Sequence, residues 1–195
     1  LGCKMTTMTT GEQKQKFARD AKVIIVDIDE MEHLKENIRI DKLIISDIKL
    51  FLIGLMQFPI LKVSEKWKNK CLRWKNIFPN SEESFNKTKK VDLYYLAKCL
   101  SKVLPQNSIF LSDSGLIELI LPTNIAFSKN QRCIHPSSQG SMGYALPALI
   151  GAYFSSKRPV IAVIGDGSIM MNLQELETIS YHSIPAKIFI INNNV

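Results

Sequence analysis

The 195-residue sequence is short of glycine, with nine, and of cysteine, with four. Cys3, Cys71, Cys99 and Cys133 stand far apart, with no C-x-x-C pair and no histidine at ligand spacing. That pattern argues against a zinc site or a disulfide framework and for a reducing compartment, the cytoplasm by default. No apolar run approaches the roughly 20 residues of a membrane-spanning helix, so no membrane partner is expected. No cleavable signal peptide, internal repeat or low-complexity tract is visible. What is present is globular: 46% hydrophobic and 22% charged residues, enough apolar material for a core and too much for a disordered chain. The sequence does not begin with Met, and it ends on three asparagines and Val195 straight after an apolar run. Both ends read as cuts through structure.

The net charge of +7 is confined to one half. Residues 1–105 carry 20 Lys and Arg against 13 Asp and Glu, whereas residues 106–195 carry five of each. The densest basic run is Lys62, Lys66, Lys68, Lys70, Arg73 and Lys75. Within it Val63, Trp67, Cys71, Trp74 and Phe78 recur every three or four residues, which predicts one apolar stripe on a helix over about residues 64–78. Aromatics among lysines also suit a stacking surface for single-stranded nucleic acid. The helical spacing favours a stripe buried against protein with solvated lysines, so no nucleic-acid partner is expected.

Residues 22–28 (KVIIVDI) read as a buried parallel strand, with Asp27 and Asp29 at its carboxyl end. A short strand over 42–46 and a helix over about 47–57 follow. Residues 80–90 are polar and linker-like. Beyond them the pattern predicts a helix over 91–103, a strand over 108–112, a helix over 143–156 and a strand over 159–164. A helix over 172–182 and a strand over 186–191 complete the series. Strands alternating with such helices make this an α/β chain with a parallel sheet.

Six of the nine glycines fall between positions 115 and 167. The sharpest group, Gly165-Asp166-Gly167-Ser168, directly follows the strand VIAVI. It stands where open α/β sheets bind ligands. Paired glycines let N–H groups converge on an anion. A carboxylate beside such a nest is repulsive unless a cation lies between, and Mg²⁺ suits that geometry. Residues 168–191 then make a 24-residue strand–helix–strand return, ending at Asn192 and Asn193, whose side-chain oxygens can complete a hard-cation site.

The GDG-x24-NN pattern resembles the cofactor signature of thiamine diphosphate (ThDP) enzymes. The text GDGSIMMNLQELETISYHSIPAKIFIINNN is similar to the acetolactate synthase branch, as are QGSMGYALPA at 139–148 and Ile150-Gly151-Ala152. The first segment, FARDAKVIIVDIDEMEH, resembles the end of that family's central domain, and the Trp67/Trp74 helix its interdomain helix. The resemblance implies three parts. Residues 1–60 end a central Rossmann-like domain, residues 61–90 form an interdomain helix and linker, and residues 91–195 open a parallel-sheet ThDP-binding domain.

It further implies that Asp166 and Asn193 ligate Mg²⁺ through side chains and Val195 through its backbone carbonyl. Gly167 and Ser168 would bind the diphosphate. Gly140 and Met142 would meet the aminopyrimidine through backbone groups, Ser141 between them would also bind the cofactor, and the Met142 side chain would hold the cofactor bent for catalysis. The implied activity is ThDP- and Mg²⁺-dependent decarboxylation and carboligation of 2-keto acids, in branched-chain amino acid biosynthesis, by a cytoplasmic homodimer or homotetramer. Another ThDP-dependent 2-keto-acid decarboxylase or carboligase is the nearest alternative, and a non-catalytic interaction module the alternative of a different class.

The sequence departs from the family at Leu116 and Ile117, which follow Gly115 where a polar pair often helps to bind diphosphate; Ser114 or the Gly115 N–H is the substitute. The family's activating glutamate belongs to an N-terminal domain absent from these residues, so the chain alone is expected to be inactive. Met170 and Met171 read as core or helix-start residues, His135 as a loop residue without a role, and Glu175 and Glu177 as structural and solvated. Asp113 is open between a turn-forming aspartate and a site residue.

Overall fold

The computed structural model describes residues 1–34, 38–60, 62–78, 90–137 and 139–193. The chain divides into two units, Leu1–Lys70 and Cys71–Val195. The polar 80–90 stretch and Val195 fall outside the described residues, Lys90 excepted.

In the first unit a short helix α1 (Thr7–Thr10) and a 3-10 turn over Lys14–Lys16 precede β1 (Ile24–Asp27), α2 (Glu30–His33), β2 (Lys42–Ile45) and α3 (Ile48–Leu55). β1 and β2 pair in parallel, Ile24 opposite Lys42 and Asp27 opposite Ile45. Aspartates start both following helices. Asp29 accepts from the Met31 and Glu32 N–H groups, and Asp47 accepts from Lys49 and Leu50 at 2.8 and 3.2 Å. Each side chain thus satisfies N–H groups that a helix start leaves unpaired. The first-unit core is small: Ile25, Val26, Thr10 and His33 are buried, while Ile28, Met31, Leu50 and Phe58 are exposed. His33 Nε2 and Asp27 Oδ2 are 3.1 Å apart, which accounts for a buried histidine.

Helix α4 (Glu65–Ile77) forms where its spacing predicts, but its apolar stripe is not buried. Trp67 and Trp74 are 51% and 41% exposed, and no residue of α4 is buried. Periodicity fixed the helix and its face; burial additionally requires an element packed over that face.

The second unit begins with α5 (Leu93–Val103), capped by Asp92 accepting from the Tyr95 N–H at 2.9 Å. There follow β3 (Ile109–Ser112), α6 (Leu116–Asn124), β4 (Arg132–Ile134), α7 (Ala145–Ser156) and β5 (Val160–Gly165). A single turn α8 (Asp166–Ile169), a 3-10 turn over Met170–Asn172, α9 (Glu175–Tyr181) and β6 (Ala186–Ile191) complete it. All four strands are parallel, in the order β4-β3-β5-β6. The chain therefore runs outward from β3 to β4, then crosses back to lay β5 on the other side of β3. The boundary between β3 and β5 is the topological switch point, whose carboxyl edge is where open α/β sheets take ligands.

The period-two alternation of β3 and β5 divides the core into two layers. Ile109, Leu111, Val160, Ala162 and Ile164 pack with Leu146, Leu149 and Ala152 of α7 and Ile179 of α9. Phe110, Ile161 and Val163 pack with Ala97 and Leu100 of α5 and Ile117 and Leu121 of α6. The first five residues of β5 are buried, as a strand covered on both faces requires. At the opposite, amino edge the Arg158 guanidinium donates to the Asn107, Ser108 and Asn130 carbonyls, tying the starts of β3, β4 and β5 together.

Candidate cofactor site

β3 ends at the switch point in Ser112 and Asp113, both fully buried. The Asp113 N–H continues the ladder to the Val163 carbonyl at 3.1 Å. Its carboxylate gathers four donors. Oδ1 accepts from the N–H groups of Ser114 at 2.8 Å and Gly143 at 3.0 Å, and from the Ser168 hydroxyl; Oδ2 accepts from the Ala145 N–H at 2.8 Å. The Gly143 N–H is shared with the Ser168 Oγ at 3.0 Å, and the Gly143 carbonyl accepts from Asn172 Nδ2 at 2.9 Å. The two peptides that flank Gly143 are thereby both held. Gly143 has φ +79°, and a Cβ there would lie 2.8 Å from Met171 Cβ and 2.9 Å from Asn172 Nδ2. Only glycine fits.

Gly165 ends β5 opposite Ile191 of β6. Asp166 is therefore one residue beyond one strand, and Asn193 two residues beyond its parallel neighbour, on the same edge of the sheet. Asp166 Oδ1 accepts the Gly167 N–H at 3.0 Å, which orients the carboxylate and leaves lone pairs for a cation. Gly167 is exposed, with open space where a Cβ would stand. Gly140, Ser141 and Met142 are exposed on the loop that Gly143 anchors, Met142 by 51%. Gly115, at φ +82°, is the N-cap of α6 at the same edge.

Ser168 is buried, its hydroxyl turned toward Asp113. Leu116 is exposed and Ile117 buried in the core, so neither side chain supplies the polar contact common in the family. Met170 and Met171 open the 3-10 turn, as helix-start residues, and are exposed, although Met171 Cβ backs Gly143. His135 lies before the 140–143 loop: its Nδ1 is 3.5 Å from Glu118 Oε1, and Glu118 Oε2 lies 3.4 Å from the position of a Gly140 Cβ. His135 also lines a cavity of about 330 Å³ with Ser137, Gln139, Ser141 and Tyr144. Among the described residues no cluster of three His, Cys, Asp or Glu could hold a metal.

Residues 113–195 match the family model of the thiamine pyrophosphate enzyme C-terminal TPP binding domain. These residues are similar to the cofactor domain of thiamine pyrophosphate enzymes. Thiamine pyrophosphate is the same compound as ThDP, and the match begins at Asp113 and takes in every expected ligand from Gly115 to Val195. Over 99% of its length the chain is 33% identical to the acetolactate synthase large subunit of Cyanidium caldarium, of which it covers 33%. It is 30% identical to a probable acetolactate synthase large subunit of Methanocaldococcus jannaschii, covering 34%. It is 28% identical to the chloroplastic acetolactate synthase of Arabidopsis thaliana, covering 29%. The chain spans about a third of the length of the curated relatives it matches. No helix among the described residues is long and apolar enough to cross a membrane.

Proposed function

We propose that this chain is the cofactor-holding part of a ThDP- and Mg²⁺-dependent enzyme of the acetolactate synthase type, acting on 2-keto acids by decarboxylation and carboligation. Residues 1–60 then end a central domain, 61–90 link it, and 91–195 open the cofactor domain. The oligomer would be a homodimer or homotetramer, serving branched-chain amino acid biosynthesis. Four free cysteines fit a cytoplasmic setting.

The observation that carries the proposal is the pairing of β5 with β6, which brings Asp166 and Asn193 to adjoining strand ends. A carboxylate, an amide oxygen and the Val195 carbonyl make the all-oxygen donor set that Mg²⁺ prefers, with phosphate oxygens and water completing it. Gly167 leaves room for a phosphate group to approach the backbone. At the edge of the same switch point the N-terminus of the nine-residue α6 adds a positive end that favours an anion, in place of the missing polar pair.

Bound ThDP supplies a nucleophilic carbon and an electron sink for the carbon that loses CO₂. The chain's own residues hold and orient. Asp166 and Asn193 fix the metal, and through it the diphosphate. Gly140 and Met142 would present backbone groups to the pyrimidine. Met142, on a loop clamped at Gly143, sets the relative placement of the two rings, an effect on reacting geometry more than on affinity.

Isothermal titration of ThDP into the protein tests this. Binding should require Mg²⁺ and vanish in Asp166→Ala, because the diphosphate charge would then lie uncompensated. Metal-independent binding that survives Asp166→Ala and Asn193→Ala would refute the assignment.

A further inference from the structure

We infer that Asp113 is the positioning residue that locks the 140–143 loop to the 165–168 turn, and that Ser168 serves the cofactor through Asp113, not by a hydroxyl contact with the diphosphate. This rests on the proposed ThDP site and says how its two halves are held in register.

The argument starts from the topology. β3 and β5 are neighbours, with Ser112 opposite Val163, so the residues that follow both strands emerge side by side. Asp113 is fully buried there, and three of its four donors come from segments 30, 32 and 55 residues away: Gly143, Ala145 and Ser168. The first two belong to the loop expected to face the pyrimidine and to the start of α7. The third belongs to the turn expected to face the diphosphate. One carboxylate therefore sets the spacing of both halves. A buried acceptor with four partners holds them stiffly, because losing any one strands a polar group away from water.

Ser168 follows from hydroxyl chemistry. A hydroxyl has one proton. Here that proton is donated to Asp113 Oδ1, and an oxygen lone pair accepts the Gly143 N–H at 3.0 Å. The same hydroxyl cannot also donate to a phosphate oxygen. Its effect on the cofactor passes through the position of Gly143, and hence of Met142 one residue earlier.

Asp113→Asn is the sharpest perturbation, because it keeps the shape and replaces one oxygen by an NH₂ group. Keeping the carbonyl toward the three Oδ1 donors points the NH₂ at the Ala145 N–H, donor against donor. Amide hydrogen exchange followed by NMR, on the protein without cofactor, reads this directly. The Ala145 amide should exchange at least about tenfold faster in Asp113→Asn, the loss expected for a hydrogen bond to a charged group. The Gly143 amide should accelerate in Ser168→Ala as well. Leu149 and Ala152, deeper in α7, should keep their wild-type rates. Unchanged rates at Gly143 and Ala145 would overturn the inference. So would an equal rise at Leu149 and Ala152, which would make Asp113 a general stabiliser of the unit.

Titration of ThDP with Mg²⁺ separates this inference from the function it rests on. Asp113→Asn should weaken binding about tenfold or more. Adding Ser168→Ala to it should weaken binding no further, since both act on one network. A Ser168→Ala loss that adds in full to that of Asp113→Asn would restore the hydroxyl–diphosphate contact and overturn its half of the inference. A wild-type protein that takes up no ThDP would refute the proposed function, while the exchange rates would still decide the role of Asp113.

Discussion

Gly143→Ala should be the most damaging single methyl group that can be added to the second unit. Gly143 has φ +79°, a region that costs an L-residue about 1–2 kcal/mol. The new Cβ would stand 2.8 Å from Met171 Cβ, an atom fixed to the backbone that cannot swing aside. It would also stand 2.9 Å from Asn172 Nδ2, which is bonded to the Gly143 carbonyl, so relief there breaks a hydrogen bond worth about 1 kcal/mol. If the loop retreats instead, the Gly143 N–H leaves Asp113 and Ser168, at about 1.5–3 kcal/mol for a bond to a charged group. The first route sums to about 2–3 kcal/mol and the second to about 2.5–5 kcal/mol, a large part of the roughly 5–15 kcal/mol that holds a domain folded. Urea unfolding followed by circular dichroism should show the midpoint falling by at least about 1 M, for a slope near 2 kcal/mol per molar. Two other glycines calibrate the result. Gly140→Ala meets the Glu118 carboxylate at an ordinary 3.4 Å and should cost only the backbone term, about 1–2 kcal/mol. Gly167→Ala meets nothing within 4 Å, has no positive φ, and should be close to neutral. A Gly143→Ala protein that unfolds at the same urea concentration as Gly167→Ala would refute the reasoning, and with it the clamp on the loop.

In the full-length protein Met142→Ala should leave ThDP affinity within about threefold while turnover of a 2-keto acid falls at least about tenfold, because the side chain shapes the reacting geometry; an equal loss in both would make it a simple binding residue. Burial pushes the Cys133 thiol up to about 11. Iodoacetamide at pH 8 should therefore label the exposed Cys3 and Cys71 about a hundredfold faster than Cys133 until the unit unfolds. With the folded value raised, the contribution of Cys133 to stability is complete below the ordinary thiol range and is lost as pH rises from there through about 11, which alkaline unfolding of Cys133→Ala should show by its shallower limb. In the first unit the Asp29 N–H, then the His33 ring, hold the Asp27 carboxyl below the usual carboxylate range. That stabilisation is present above the ordinary aspartate value and is lost as pH falls through the lowered one, so Asp27→Asn should flatten the acid unfolding of that unit.

The elements legible in the sequence are those with long, uniform patterns. β5 and β6 are apolar runs between turn residues, α5 has an aspartate cap before a periodic stripe, and each lies within two residues of its expected bounds. α6 and β4 are not legible, for definite reasons. Pro122 lies inside α6, where proline normally argues against a helix. β4 is three residues long, and its Arg132 and Cys133 carry no alternation to read. α4 shows the converse. Its period of three and four is correct, yet Trp67 and Trp74 are half exposed, because a stripe states which face can be buried and says nothing about what covers it.

The site divides along the same line. Asp166, Gly167 and Asn193 are legible because their relation is local: one strand–helix–strand return carries the chain from one strand end to the next. Asp113 is not, because its partners depend on strand order. Were β3, β4 and β5 laid side by side in chain order, Asp113 would be two strands away from Ser168, and its carboxylate could not reach Gly143 and Ser168 together. The crossing of α7 that returns β5 to the open side of β3 makes them neighbours. The spacing of residues along the chain carries no trace of that crossing. A sheet reversing its direction of growth creates a crevice at its carboxyl edge, and here the reversal also brings together the three distant donors, Gly143, Ala145 and Ser168, from which Asp113 accepts. The geometry that makes room for a ligand and the hydrogen bonds that fix the walls of that room thus have one topological origin. A buried aspartate at the end of the first strand beside a switch point is therefore a residue to test for a positioning role, even where its sequence reads only as a turn.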